Sequence, residues 1–182
     1  MKKWLIIYSS NTGNTKQIAT AMYNTLSCGE GDIYPLQEIP ADFCFSDYDV
    51  IMVGYWLIRG GPDNAVKKLL SKFTNKNIIL FQTHGAEKCS EHSITAFARA
   101  ASCLGLNCNI IGTFSCQGKI NPVLLEKRRS VSSDNPHAAN KLNEKRWKMA
   151  LLHPDSNDLK EAALFVKTMK RKLFLKEKYY SQ

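Results

Sequence analysis

A short polar stretch between two apolar segments constrains this chain more than any other part of its sequence. It follows the apolar run Trp4–Tyr8 and precedes apolar residues at helical spacing, Ile18, Ala19 and Met22. The pattern predicts a strand, a tight loop and a helix, with the loop at the positive end of the helix dipole. Such a loop favours an anion, most often a phosphate. The loop residues are Ser10, Asn11, Thr12, Gly13, Asn14 and Thr15.

The composition of this loop excludes two common nucleotide-binding motifs. It contains one glycine and no lysine. It is therefore neither the lysine-bearing loop of nucleotide triphosphatases nor the three-glycine turn that binds dinucleotides. A neutral, hydroxyl-rich loop suits one terminal phosphate monoester better than a triphosphate with magnesium. The alternative interpretation is an ordinary strand-to-helix turn that Ser and Thr side chains cap.

The run from residue 6 to residue 19 resembles the phosphate loop of the flavodoxin family. The family pattern is an apolar strand ending in an aromatic residue, followed by hydroxyl and small residues at fixed spacing. The positions that match it are Ile6, Ile7, Tyr8, Ser10, Gly13, Thr15 and Ala19. Met22 departs mildly from the branched apolar residue expected next. The resemblance implies that this loop holds the 5′-phosphate of FMN.

Strand and helix patterns alternate along most of the chain. Apolar runs predict strands at 3–9, 32–36, 48–56, 77–83 and 109–114, and helical spacing predicts helices near 14–26, 64–73, 93–104 and 156–176. This alternation requires crossover connections, and therefore a parallel sheet with helices on both faces. With the resemblance, it predicts an α/β, flavodoxin-like, doubly wound five-stranded sheet of order 2-1-3-4-5, with the ligand where strands one and three end. The 182 residues are predicted to form one domain, 1–182.

The segment near 124–152 is polar and basic, and the sheet pattern does not account for it. It contains a Lys-Arg-Arg triplet at 127–129 and more basic residues over 141–148. We predict a surface excursion with one short helix near 138–149. The net charge of +9 departs from the acidic character of most flavodoxins. A basic surface would steer an acidic protein partner, bind nucleic acid or an anionic membrane weakly, or simply keep the protein dissolved. No nucleic-acid motif and no apolar run long enough to span a membrane accompanies the charge.

The loop after the third strand should reach the same edge of the sheet as the phosphate loop, because the strands run parallel. It carries Tyr55 and Trp56, and aromatic side chains suit the flat face of a flavin ring. The resemblance implies that Trp56 covers one flavin face, whereas the alternative is that Trp56 packs in the core. Gly60 and Gly61 permit positive φ angles and close approach of the backbone to a ligand.

The loop after the fourth strand begins at Thr83-His84-Gly85. It lacks the aromatic residue that flavodoxins commonly place over the second flavin face. That face is predicted to be open, covered by backbone, or covered by His84, and His84 could equally be a solvent-facing loop residue. An open face favours a flavin that meets its partner or substrate directly.

Cys116-Gln117-Gly118 follows the fifth strand at the same edge. With the two preceding loops, it resembles a subgroup of short flavodoxin-like proteins of anaerobic bacteria, some of which are accessories to reductases such as bilirubin reductase. The resemblance covers residues 3–170. It implies contact of the backbone near Cys116 and Gly118 with the flavin ring edge. The Cys116 thiol is expected to be inert, since no C-x-x-C pair occurs among the six cysteines.

No catalytic triad, carboxylate pair or metal-ligand spacing is visible, and flavin chemistry needs none, because the cofactor carries the reactivity. We expect an FMN-binding electron-transfer protein that serves a cytoplasmic reductase. One alternative is an FMN-dependent quinone or small-molecule reductase, which the open third loop favours. Another is a flavodoxin-like binding module without flavin, which a visible spectrum lacking flavin bands would identify.

Overall fold

The computed structural model describes residues 2–132 and 134–180, except for the side chain of Tyr180. Its strands are β1 (Trp4–Tyr8), β2 (Gly31–Pro35), β3 (Val50–Trp56), β4 (Asn77–His84) and β5 (Asn109–Gln117). Its α-helices are α1 (Asn14–Tyr23), α2 (Asn64–Leu70), α3 (Glu91–Ala101), α4 (Pro122–Ser130), α5 (Lys141–Ala150) and α6 (Ser156–Tyr180). An α-helix separates each pair of successive strands as far as β5, except that only two short 3₁₀ helices, Leu36–Glu38 and Phe45–Asp47, lie between β2 and β3. Three α-helices follow β5.

The strands form one parallel sheet in the order β2-β1-β3-β4-β5, which confirms the predicted flavodoxin-like topology. The chain order reverses between β1 and β3, where Tyr8 lies opposite Gly54. Loops that leave these two strands diverge, and the crevice between them is where ligands bind in sheets of this kind. β2 is an edge strand, and an edge accommodates Pro35, which lacks a backbone donor.

Side chains that alternate along the strands build an apolar core on each face of the sheet. On one face, Ile6 packs with Ile18 of α1 and Val166 of α6. On the other face, Val53 lies in a cluster with Leu70 of α2 and with residues of α3. The sheet is therefore covered on both faces, which explains why its central strands are continuously apolar.

Several elements differ in length from their predicted bounds, among them β5 and α1. β5 ends at Gln117 rather than at Phe114, because its residues continue to pair with β4 as far as His84. Cys116 therefore lies within a strand and not in a connecting loop. α1 ends at Tyr23 instead of residue 26, since the next residues close the helix with tighter i→i−3 hydrogen bonds.

The basic excursion, which we define as residues 122–152, contains two helices where one was predicted. The apolar residues of α4 at 123–125 are consecutive, so they show no helical spacing. α5 begins at Lys141 rather than at 138, because the Asn140 side chain accepts the N–H of Asn143 at 2.8 Å and caps the helix there. Within the described ranges, no helix is both long and apolar enough to cross a membrane.

Candidate functional site

Three loops meet where the parallel strands end. They are the phosphate loop (9–13), the second loop (57–63) and the third loop (85–90). Ser9 joins the first two loops, because its N–H donates to Gly54 O at 2.8 Å and its hydroxyl donates to Asp63 Oδ2 at 2.9 Å. Leu57 joins the second loop to the end of β4 through an N–H bond of 3.2 Å to Thr83 O. These bonds hold the three loops side by side.

The residue before α1 provides no side-chain cap, whereas α2, α3, α4 and α5 each follow a capping side chain. In the first turn of α1, the Ser10 hydroxyl accepts the Lys16 N–H at 3.3 Å. Gly13 precedes α1 with φ 85°, a left-handed conformation that glycine adopts without strain. Among the described residues, the N–H groups of Asn14 and Thr15 have no acceptor. Two free donors therefore lie at the positive end of the helix dipole, which is the usual setting for a bound phosphate.

Hydroxyl groups lie around this helix end at different depths. Thr12 is exposed and Ser10 is half-buried, while Asn11, which carries an amide instead of a hydroxyl, is also exposed. The Thr15 hydroxyl is buried, and its oxygen lies 2.8 Å from the Thr83 hydroxyl oxygen. This pair contains two O–H hydrogens and uses one of them between the two oxygens. The other hydrogen remains available to a ligand oxygen.

Asn14 ties the first turn of α1 to the chain that follows β5. Its Nδ2 donates to Lys119 O at 2.9 Å. The close approach requires glycine at Gly118, because a Cβ there would contact the Asn14 amide. Asn14 Oδ1 is buried without a hydrogen-bond partner among the described residues. An unpaired buried acceptor is unfavourable, so this oxygen favours a ligand that offers hydroxyl or N–H groups beside its phosphate.

Tyr55 and Trp56 point to opposite faces of the sheet, as neighbouring strand residues do. Tyr55 is fully buried in the core beside α2 and α3, so only its backbone lies near the loops. Trp56 is half-buried at the end of β3, opposite Thr83 in the strand register. Part of the Trp56 ring therefore stays accessible to a flat ligand at the carboxyl edge.

The second loop reverses direction in a tight turn. Ile58 and Gly61 exchange two N–H···O bonds of 2.8 and 3.1 Å, and Arg59 and Gly60 between them have φ 50° and 79°. Positive φ at Gly60 is as the sequence predicts, but the second such residue is Arg59 and not Gly61. Two adjacent positive φ angles are typical of a type I′ turn. Arg99 Nη1 of α3 donates to Arg59 O at 3.1 Å and to Gly60 O at 3.2 Å, which anchors the turn.

His84 positions the third loop and does not face solvent. Its Nδ1 lies 3.0 Å from Ala86 O, and its Nε2 lies 2.7 Å from the Ser115 hydroxyl. Burial lowers the pKa of His84 to about 4, so the ring is neutral at pH 7. Because a carbonyl only accepts, the proton lies on Nδ1, and Nε2 accepts from Ser115. Both ring nitrogens are thus used within the protein.

The third loop also packs against the chain after β5. The Gly118 N–H donates to His84 O at 2.9 Å, and Gln117 Nε2 donates to Gly85 O at 3.4 Å. A Cβ on Gly85 would contact Ile120, so glycine is required for this approach. Backbone, rather than an aromatic side chain, forms this side of the site.

Cys116 is an unreactive member of the core. The side chain is buried, and its thiol donates to Gln117 O at 3.0 Å. Burial raises the pKa of the Cys116 thiol far above its ordinary value, and the nearby Asp158 carboxylate raises it further. The thiol is therefore neutral at physiological pH, as the sequence analysis expected.

A cleft of about 340 Å³ adjoins the second loop at Gly60. Its other lining residues are Glu91, His92, Thr95 and Arg99, all on α3. Neither these lining residues nor Asp63 were predicted from the sequence as site residues. Two patterns could have revealed them. The residues at 91, 95 and 99 share one helix face by their spacing, and an Asp before an apolar helix pattern is a common N-cap.

Three residues at the start of α6 have the spacing of metal ligands, but they already serve as a helix cap. His153 Nδ1 lies 2.6 Å from Asp158 Oδ2, and that oxygen also accepts the Asp155 N–H at 2.8 Å. Asp155 Oδ1 in turn accepts the N–H groups of Asn157 and Asp158 at 2.8 and 2.9 Å. These bonds account for the cluster without a metal ion.

The structure shares its fold with flavodoxins. A flavodoxin from the domain Archaea superimposes with a TM-score of 0.57 at 15% identity, and the match covers 93% of this chain and 97% of that one. A flavoprotein from Lactobacillus acidophilus NCFM, solved in complex with FMN, gives a TM-score of 0.50 at 20% identity, with 63% and 93% covered.

Sequence comparison extends this likeness beyond the fold. The flavodoxin-like domain-containing protein BilS of Clostridioides difficile (strain CD3) is 34% identical over 171 residues, which cover 92% of this chain and 96% of that protein. A family model described as a flavodoxin domain matches residues 5–167. These matches support the FMN cofactor that the sequence predicts. The chain therefore belongs to the flavodoxin family.

Proposed function

We propose that this protein binds FMN and transfers electrons to or from a reductase in the cytoplasm, with the whole chain acting as one flavodoxin-like unit. The observation that carries the proposal is the N-terminus of α1, where the N–H groups of Asn14 and Thr15 have no acceptor among the described residues and hydroxyls lie around them. The sequence resemblance to accessories of anaerobic reductases, bilirubin reductase among them, supports a reductase as the partner.

The residues at the helix end fit the phosphate of FMN. Ser10, Thr12 and Thr15 offer hydroxyl donors, and Gly13 and Asn14 offer backbone donors beside the helix dipole. The exposed Asn11 side chain lies at the rim of the same loop. No lysine is present in the loop, so these neutral donors and the dipole would balance the phosphate charge. The unpaired Asn14 Oδ1 suits a hydroxyl of the ribityl chain.

The neighbouring loops fit the flavin ring. Trp56 would stack on one face of the ring. The backbone of the turn at Gly60, which Arg99 anchors, would contact the ring. Thr83, Gly85, Cys116 and Gly118 would shape the other side through backbone, while Tyr55 and His84 support the site from within the protein. Bound FMN would supply the redox chemistry. The chain's own residues bind the cofactor, orient it and exclude water from one face.

A second candidate function is that of a small-molecule reductase. The cleft between Gly60 and α3 favours it, because its volume of about 340 Å³ falls within the range of small-ligand sites. His92, Thr95 and Arg99 would give such a site polar groups. The carrier function is preferred because only one loop turn and one helix line this cleft.

A test for sustained turnover separates these two functions. We expect the FMN-loaded protein alone to show no continuing oxidation of NADH or NADPH with menadione present, because a carrier depends on its partner. Steady turnover that scales with protein concentration, and that His92→Ala reduces, would instead establish the reductase. Free FMN at the same concentration provides the background rate.

The phosphate assignment predicts a difference between two ligands. Thr15→Val should weaken FMN binding at least about tenfold, because a hydrogen bond to a charged group contributes roughly 1.5–3 kcal/mol. Riboflavin lacks the phosphate, so its affinity should fall much less. Thr20→Val, on the exposed part of the same helix, is the matched control and should change neither affinity. Equal losses of FMN and riboflavin on Thr15→Val would contradict the assignment.

If Trp56 stacks on the flavin ring, its removal should weaken FMN and riboflavin binding equally. Trp56→Ala should weaken FMN and riboflavin to the same extent, by roughly tenfold, because the flavin ring is common to both and an aromatic contact adds about 0.5–1.5 kcal/mol beyond area burial. Trp4→Phe is the control, since Trp4 is buried at the start of β1, the end of the strand away from the three loops. Titration by visible absorbance measures both affinities. Unchanged affinities on Trp56→Ala would show that Trp56 is only a packing residue.

A further inference from the structure

The basic excursion combines charge with exposed apolar surface to an unusual degree. Its 31 positions, 122–152, hold seven Lys and Arg residues against three Asp and Glu, a net of +4 out of the chain's +9. Seven of the 14 large hydrophobic side chains that are exposed in the described part of the protein also lie here. They are Val123, Leu124, Val131, Leu142, Met149, Leu151 and Leu152.

The excursion is fixed beside the third loop. Trp147 and Ala150 of α5 pack with Ile120 in a small apolar cluster, and Ile120 occupies the space beside Gly85. Arg146 Nε donates to Glu87 Oε1 at 3.2 Å, which joins α5 directly to the same loop. α5 therefore lies next to the loop that borders the candidate ring site.

The solvent-facing side of α5 presents a row of lysines. Lys141, Lys145 and Lys148 follow the i, i+4, i+7 spacing of one helix face, and all three are exposed. None of them has a salt-bridge partner among the described residues. Leu142 and Met149 lie exposed on the adjoining face. We call these five side chains the α5 face.

The charges of the neighbouring triplet at 127–129 are less available to a partner than its sequence suggests. Arg129 Nε lies 3.9 Å from Glu144 Oε1, which neutralises part of its charge. Arg128 is half-buried, and burial lowers its pKa. Lys127 alone of the three is both exposed and without a salt bridge within the described chain. The α5 face is thus the better candidate for contact with another molecule.

We propose that the α5 face is the docking surface for an acidic patch on the protein that exchanges electrons with this one. The proposal rests on the proposed function, since it supplies the partner with a route to the ring site. Free lysines would attract acidic side chains and raise the association rate, and the exposed Leu142 and Met149 would pack in the contact. The position beside the third loop would bring the partner's redox centre close to the cofactor.

Two acceptor proteins of opposite charge test this surface. FMN-loaded protein is reduced with dithionite and mixed in a stopped-flow instrument with oxidised rubredoxin, which is acidic, or with cytochrome c, which is basic. The rate with rubredoxin should fall steeply as salt rises, because salt screens charges over about 10 Å at 0.1 M. At low salt, the triple variant Lys141→Glu, Lys145→Glu, Lys148→Glu should react with rubredoxin at least about tenfold more slowly and with cytochrome c faster.

The matched control reverses three charges at the other end of the sheet. Lys167, Arg171 and Lys176 are exposed on α6, and the adjacent Lys170 pairs at 2.6 Å with Glu30, which directly precedes β2. Reversing these three to Glu changes the net charge equally but should leave the rubredoxin rate within about twofold, since steering acts through the local field.

Three results would overturn the docking surface. The first is that the α5 reversal does not change the rubredoxin rate, and the second is that the α6 control slows this rate equally. The third is that the α5 reversal leaves the rubredoxin rate unchanged but abolishes binding to single-stranded DNA or to anionic vesicles. A visible spectrum confirms that each variant retains FMN. Failure of the unaltered protein to bind FMN would instead contradict the proposed function and is distinguished by that spectrum.

Discussion

Two hydrogen bonds from the first turn of α1 hold the candidate site together. Asn14 Nδ2 donates to Lys119 O at 2.9 Å, and the Thr15 hydroxyl oxygen lies 2.8 Å from that of Thr83. They fix the helix end to the last residues of β4 and to the residues that follow β5. These bonds use side chains, while the backbone N–H groups of Asn14 and Thr15 have no acceptor in the described part of the chain and can bind a ligand. The helix end is thus rigid and still able to bind an anion.

Hydrogen bonds from polar side chains hold the other two loops, in addition to apolar packing. The neutral His84 ring holds the third loop, and Arg99 holds the carbonyls of the second-loop turn. Asp63 caps α2 and also accepts the Ser9 hydroxyl, which links two loops through one carboxylate. Loops held by satisfied hydrogen bonds lose little further freedom when a ligand binds.

Local patterns in the sequence were sufficient for the succession of strands and for the turn between β1 and α1, because both depend on residues close together in the chain. The order of the strands in the sheet came from the resemblance to flavodoxins, since it depends on pairing between distant residues. The role of His84 could not be predicted, since its partner Ser115 is 31 residues away. The burial of Tyr55 was available from strand alternation, which places it on the face opposite Trp56. α4 was not predicted, because its apolar residues lack helical spacing. Its buried residue Leu125 packs in the cluster around Trp147, a contact that local sequence does not reveal.

The proposed phosphate site depends on the N-terminus of α1 binding the phosphate of FMN. Amide NMR spectra of ¹⁵N-labelled protein, titrated with FMN and with riboflavin, measure this contact at single residues. A phosphate bound there would shift the amide protons of Asn14 and Thr15 downfield, because a charged acceptor strengthens their hydrogen bonds. We expect this shift with FMN and not with riboflavin. Equal shifts with both ligands, or unmoved amides with FMN bound, would show that the phosphate does not lie at this helix end.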